Sequence, residues 1–244
     1  MIFRSVSNRA SRAFAVIRSG LLILQKAGLR IFLQKLGHQL YSSTVFLFME
    51  KEPDDNDAYP PSLHQCVVTP ASPEDVEEFF QKMVYESEES RYQLLVRKWF
   101  YESGLHNCYI ARTSDTNEMC HIRWMVTSRD MRETGYEIRL PTLKEDDVLA
   151  ENAYTLERFR GRGINTAAAR PIDEIYRKQG FRRIMSYIDE NNIPSLKTSK
   201  KRGNKVFERV LERHILFRVT WKMIERFDPP VPIHIPGDKE ASQS

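Results

Sequence analysis

Cysteine is scarce in this chain: Cys66, Cys108 and Cys120 are the only three among 244 residues. An odd, scattered set excludes a disulfide framework. With no CxxC spacing and no cluster of histidines around it, the set also gives no structural zinc site. A reducing, cytoplasmic setting is expected. Long apolar runs are missing too. The longest, 19–25 and 42–49, fall far short of the roughly 18 residues that cross a bilayer. Apolar residues at 41% and charged residues at 29% exclude a wholly disordered chain and a fibrous repeat. Length allows one substantial domain, or one domain with an appended segment.

Acids are absent from residues 1–49, which carry Arg4, Arg9, Arg12, Arg18, Lys26, Arg30 and Lys35. The remainder holds 30 basic and 33 acidic residues, so the net charge of +4 belongs to the N-terminal segment. The body is not expected to bind nucleic acid. A secretory leader is not expected, because Arg18 interrupts the apolar stretch and no small-residue cleavage site follows Leu24. The Arg- and Ser-rich start is like a mitochondrial transit peptide in composition, but it runs on too long without a break.

Phe14, Ile17, Leu21, Leu24 and Ile31 recur at helical spacing, with Arg18, Lys26 and Arg30 off the stripe. Two uses of such a helix stay open. It can lie on an anionic membrane surface, at the inner face of a membrane. It can also pack on the domain or on a second subunit as a homodimer contact. Gly20, Gly28 and Gly37 weaken the helix and offer places to break it.

The body reads as mixed strands and helices. Strands are expected at 44–49 (TVFLFM), 65–69, 108–112, 119–126, 151–156, 183–188, 205–210 and 214–223. A polar turn at 113–117 makes 108–126 a hairpin. Residues 51–61 (KEPDDNDAYPP) read as an acidic turn or linker. Ser72-Pro-Glu-Asp75 is a helix start, with an N-cap serine, proline at the first helical position and acids in the first turn. Helices are expected to about residue 84 and over 88–102, 164–179 and 193–202. Residues 128–150 give no clear pattern. The division that follows is a basic helical segment 1–43, a domain over 44–226, and a flexible tail 227–244 with four prolines. The fold class is α+β, a mixed α/β sheet with helices.

The stretch from Tyr154 to Ala169 carries the chemistry. A strand runs into Arg160-Gly161-Arg162-Gly163 and then into a small-residue helix start at Ile164-Asn165. Glycines let the backbone turn and present successive N–H groups, and a helix start adds unpaired donors and partial positive charge. This is a pyrophosphate cradle or a basic surface turn. It is neither a GxGxxG fingerprint nor a Walker loop.

On these residues the chain resembles the GCN5-related N-acetyltransferase (GNAT) superfamily, whose cofactor motif is R/Q-x-x-G-x-G/A. Arg160, Gly161, Gly163 and Ile164 match its pattern, and Asn165 stands where Gly or Ala is usual. Asn192-Ile-Pro-Ser195, with Gly203 eleven residues on from Asn192, fits the second motif. Ser72–Asp75 is similar to the family's first helix start. The resemblance covers about residues 62–225.

The resemblance implies a mostly antiparallel central sheet, split between the family's fourth and fifth strands and flanked by helices. Acetyl-CoA, or another acyl-CoA, would lie in the split. Its pantetheine would pair with the strand edge at Tyr154, Thr155 and Leu156. Its pyrophosphate would take N–H bonds from Arg160, Gly161, Arg162, Gly163, Ile164 and Asn165, and Asn192 and Ser195 would hold the other side. The reaction implied is direct transfer of the acyl group to a primary amine acceptor, with no metal. Glu151 is the candidate base, or a strand-edge charge. The family's usual tyrosine acid falls at Ser199, a weaker acid. His121 could reach the acceptor if in register, or could be a satisfied core histidine. The alternative reading is a catalytically degenerate module that binds CoA, a protein or a membrane without turnover.

Overall fold

The computed structural model describes residues 9–51, 66–136 and 142–235, with side chains from residue 20 onward. The expected linker, from residue 52, and the end of the tail, from residue 236, lie outside the described residues.

Among the described residues, eight strands form one sheet in the order β2-β3-β4-β5-β6-β1-β7-β8. They are β1 (Tyr41–Lys51), β2 (Cys66–Pro70), β3 (Cys108–Thr113), β4 (Met119–Thr127), β5 (Asp147–Thr155), β6 (Arg183–Asp189), β7 (Lys205–Ile215) and β8 (Arg218–Pro232). All neighbours are antiparallel except β5 and β6. The helices are α1 (Arg9–Leu40), α2 (Pro73–Gln81), α3 (Glu88–Glu102), α4 (Ser128–Thr134), α5 (Ile164–Lys178) and α6 (Ile193–Lys201). The α+β reading holds. Because β1 precedes the strands the family counts, the expected split falls here between β5 and β6.

Strand alternation sorts the core into two layers. Phe48, Trp124, Leu149, Met185 and Phe207 pack mainly with α2 and α3. Their neighbours Met125, Val148 and Ile184 pack under Ile172 and Tyr176 of α5, and Leu47, Met49 and Val206 pack under Leu196 of α6. Helix starts follow the sequence signals. Ser72 Oγ accepts from Asp75 N while Asp75 accepts from Ser72 N, a reciprocal cap with Pro73 behind it. Thr127 and Asp130 repeat that device at α4, inside the stretch that gave no sequence pattern.

Between α5, α6 and β1 lies a buried charge cluster. Asp173 Oδ2 is 3.3 Å from both Lys51 Nζ and Arg202 Nη2. All three side chains are nearly inaccessible.

Two corrections concern the ends. The expected flexible tail is part of the fold as far as Ile235. β8 runs to Pro232, and Ile233 and Ile235 are buried against Leu47, Met49 and Leu196. The prolines misled here because an edge strand tolerates them on its unpaired side. The N-terminal stripe is also redistributed. α1 breaks at Gly28, whose φ of 89° and ψ of 166° are not helical. Ile31 is buried, but Leu21 and Leu24 are exposed. The helix packs on α3, with Ala27 and Ile31 buried and Lys35 bonded to Glu89. A Cβ on Gly28 would meet Glu88 Oε1 at 3.1 Å as well as an unfavourable φ.

Among the described residues, no helix is long and apolar enough to cross a membrane.

Candidate active site

The parallel β5–β6 contact is short. It pairs Asp147 with Arg183, Val148 with Ile184 and Leu149 with Met185, and no further. Among the described residues, the edge of β5 that faces β6 has no strand partner beyond Leu149, so the sheet opens as a split. Arg183 clamps its closed end, with Nε 2.9 Å from Asp147 Oδ1 and Nη1 2.7 Å from Glu50 Oε2.

β5 carries a bulge at the mouth of this split. Trp124 pairs with Glu151 and Ile122 with Tyr154, so one extra residue of β5 is accommodated around Asn152, at φ 51°. Plain alternation would send Glu151 and Tyr154 to opposite faces. The bulge brings both to the α3 face. Arg97 of α3 satisfies the bulge, donating from Nε to Asn152 O at 2.9 Å and from Nη2 to Ala153 O at 3.0 Å. Burial lowers its pKa to about 10.

Glu151 is buried beside the split. Its carboxylate accepts from Tyr136 Oη at 3.0 Å and from Tyr187 Oη of β6, so a hydrogen bond crosses the opening. Burial raises its pKa, and the two phenols and Arg97 pull the other way. Both phenols are held well above their usual range by burial and by the Glu151 charge. Tyr187 stacks on Phe48, 5.3 Å between ring centroids, and meets Phe46 edge-on. A buried carboxylate with a raised pKa, held by two phenols next to an open sheet edge, is a candidate proton acceptor.

Tyr154 does not line the split. Its ring is buried under Arg97 and its Oη donates to Glu86 at 2.6 Å. Glu86 also accepts from Glu157 N. Glu157 in turn accepts from Ser87 N and from the Ser87 and Ser90 hydroxyls at the start of α3, and these bonds lower its pKa to about 2. Thr155 Oγ1 meets His121 Nδ1 at 2.8 Å. His121 is 1% exposed, and burial with the charges of Arg123 and Arg97 pushes its pKa far down. It is a neutral interior histidine and does not open toward an acceptor.

The glycine turn is seated by this network. Leu156 N bonds back to Cys120 O at 3.0 Å. Arg160 folds onto the domain, donating to Thr155 O and Ser90 Oγ. Gly161 and Gly163 both have φ of 75°, and Gly163 is the N-cap of α5. The first α5 bond from this turn is Ala167 N to Gly163 O, so among the described residues the N–H groups of Ile164, Asn165 and Thr166 are left to a ligand or solvent. Arg162 is exposed, and a Cβ on Gly161 would meet nothing within 4 Å. Asn165 Oδ1 is buried without a partner. An amide can turn its NH2 end instead, so this orphan is compatible with an anion at the turn. The residues fit a pyrophosphate.

The second motif is placed differently. Asn192 is the exposed N-cap of α6, and its Oδ1 accepts from Ser195 N at 3.3 Å. The described bonds of these two residues build the helix start. Ser199 is a correction. It is buried, its Oγ accepting from Asn204 Nδ2 at 2.8 Å and lying 3.5 Å from Met49 Sδ. It packs under the sheet and is not at the split. Sequence reasoning did not single out Tyr136, Tyr187, Arg97 or Glu86 as part of the site. Tyr187 alternates with Ile188 and Ser186 on a strand that was expected, so its face was readable. Tyr136 lies in a stretch with no periodicity and gave no signal.

A sheet split after its parallel pair, with a bulged strand leading into a glycine turn and helix, defines an acyl-CoA-type transferase fold. A profile for the Acetyltransferase (GNAT) domain matches residues 65–205, and the chain belongs to that family. No curated protein matches it in sequence. Among solved structures, it is similar to the GCN5-related glucosamine N-acetyltransferase region of a fungal multi-domain GH3 β-N-acetylglucosaminidase. The TM-score is 0.52 at 14% identity, covering 79% of this chain and 23% of that one. A GCN5-related N-acetyltransferase from Sphaerobacter thermophilus gives a TM-score of 0.45 at 16% identity, over 77% of this chain and 57% of that one. The chain thus spans less than two thirds of the length of either.

Proposed function

We propose that this chain transfers an acyl group, acetyl in the first instance, from acyl-CoA to a primary amine within a ternary complex. The observation that carries the reading is the unpartnered β5 edge ending in the Arg160–Asn165 turn. That edge offers backbone groups to an extended pantetheine arm in the manner of an added strand. The free N–H groups at the start of α5, with Arg162, suit a pyrophosphate. Asn192 and Ser195 stand after β6, on the opposite arm of the split. Acyl-CoA supplies the activated thioester carbonyl. Glu151 accepts the proton of the attacking amine, directly or through water. Tyr136 and Tyr187 hold that carboxylate in place as positioning residues. A CoA thiolate is a tolerable leaving group, so the burial of Ser199 does not forbid turnover.

Calorimetric titration with acetyl-CoA, longer acyl-CoAs and desulfo-CoA tests this reading. Micromolar binding is expected. Gly163→Val is expected to weaken it by at least about tenfold, because a β-branched residue at φ of 75° distorts the turn. No binding to any CoA species would overturn the proposal. Binding without turnover across a panel of amines would leave the second reading, a CoA-binding module, which the burial of Ser199 favours.

A further inference from the structure

One face of α1 is accounted for by α3 and by β7, where His214 meets both Gln39 and His38. The opposite face is not. Leu29, Leu33, Leu36 and Leu40 are between 36 and 59% exposed. Their spacing of four, three and four places them within an arc of about 60° on the helix. The row continues off the helix end. Leu216 N donates to Leu40 O and Phe217 N to Gln39 O, both at 2.9 Å, so the turn between β7 and β8 is seated against the end of α1. Leu216 and Phe217 are 70 and 56% exposed, and Tyr41 is 72% exposed beside them. An apolar band of this extent is more than the single exposed residues that any surface carries.

On α1 and the β7–β8 turn themselves the exposed charge has one sign. Residues 1–49 contain no acid, and Lys26 and Arg30 are exposed on α1. In 211–224 the exposed charges are Arg213, Arg218 and Lys222. The one acid there, Glu212, is buried against His214. The nearby acids of α3, Glu88 and Glu89, face Arg30 and Lys35.

We propose that this face docks on an anionic phospholipid bilayer. The C-terminal half of α1 lies in the plane of the interface. Its leucine row and the β7–β8 turn enter the acyl boundary, and the surrounding cations sit at headgroup level. The anionic cytoplasmic leaflet is the matching surface. The competing occupant is a second copy of this chain. A two-fold contact through the same face would set two acid-free basic segments against each other, whereas anionic headgroups complement both pieces of the surface.

Flotation of the full chain with vesicles tests the proposal. Phosphatidylcholine vesicles are compared with vesicles of phosphatidylcholine and phosphatidylglycerol, at low and high salt. Binding is expected to be at least about tenfold stronger on the anionic vesicles and to weaken with salt. The variant L29S/L33S/L36S is expected to lose at least about tenfold while melting as the wild type does. Should that variant fail to fold, R213E/R218E/K222E carries the test, since those side chains are exposed, with the same expected loss. Failure to float with anionic vesicles at low salt, equal binding to both vesicles, or undiminished binding of the folded variants would overturn it. So would a wild-type dimer that ignores vesicles and falls to monomer in the leucine variant, which would assign the face to a second copy.

Discussion

Glu151→Gln is expected to lower kcat by about 10²–10⁴, the usual contribution of a positioned base, without loss of fold. The sign of the stability effect separates a base from a structural carboxylate. Burial raises the folded pKa of Glu151 above its unfolded value. Its contribution to stability is therefore full below the ordinary carboxylate pKa and is lost as pH rises through the raised folded value. Glutamine does not titrate, so the variant is expected to match the wild type in acid and to melt at or above it near neutral pH. A melt well below wild type at neutral pH, with turnover preserved, would remove Glu151 from the chemistry.

The pH–rate profile gives the companion result. The acid limb of kcat/KM is expected above the usual glutamate range. Tyr187→Phe removes a hydrogen bond that favours the ionised carboxylate. The acid limb is expected to move further up in that variant. A purely packing role for Tyr187 would change the melting temperature and leave the limb in place.

Asp173→Ala carries the largest expected stability loss. The carboxylate sits between Lys51 and Arg202 with almost no solvent contact. Its removal leaves two buried cations without their shared counter-charge, a loss of about 3–5 kcal/mol. For a domain of this size that lowers the melting temperature by roughly 6–20 °C. The triple variant K51M/D173L/R202M replaces the cluster with apolar groups of similar length and is expected to recover most of the loss. A melt of Asp173→Ala within 2 °C of wild type, roughly the shift from 1 kcal/mol, would show that the cluster is solvated in solution.

Much of the fold was legible because its signals are local. The cap at Ser72, the hairpin around residues 113–117 and the glycine turn at 160–163 each depend on a few neighbouring residues, and all stand where the sequence put them. Asn192 was also legible, but its visible work is the cap of α6. Ser199 shows the limit of counting along a motif. Spacing names the position, but the face of α6 that meets Met49 and Asn204 decides where the hydroxyl points. Tyr187 comes to Glu151 from across the split, through a parallel pairing joined by a whole crossover helix. No short window of sequence contains both.

Family, mixed sheet and the glycine turn before α5 were readable from the residues alone, because glycine placement, caps and strand patterning act over a few positions. Tertiary structure alone decided the rest. The bulge at Asn152 turned Glu151 and Tyr154 to one face. The seating of β1 between β6 and β7 drew residues 227–235 into the fold. The docking of α1 on α3, with Ala27 and Ile31 buried, left the leucine row of α1 facing outward. These outcomes depend on which surfaces meet, and burial against a distant element is settled only when the whole chain has packed.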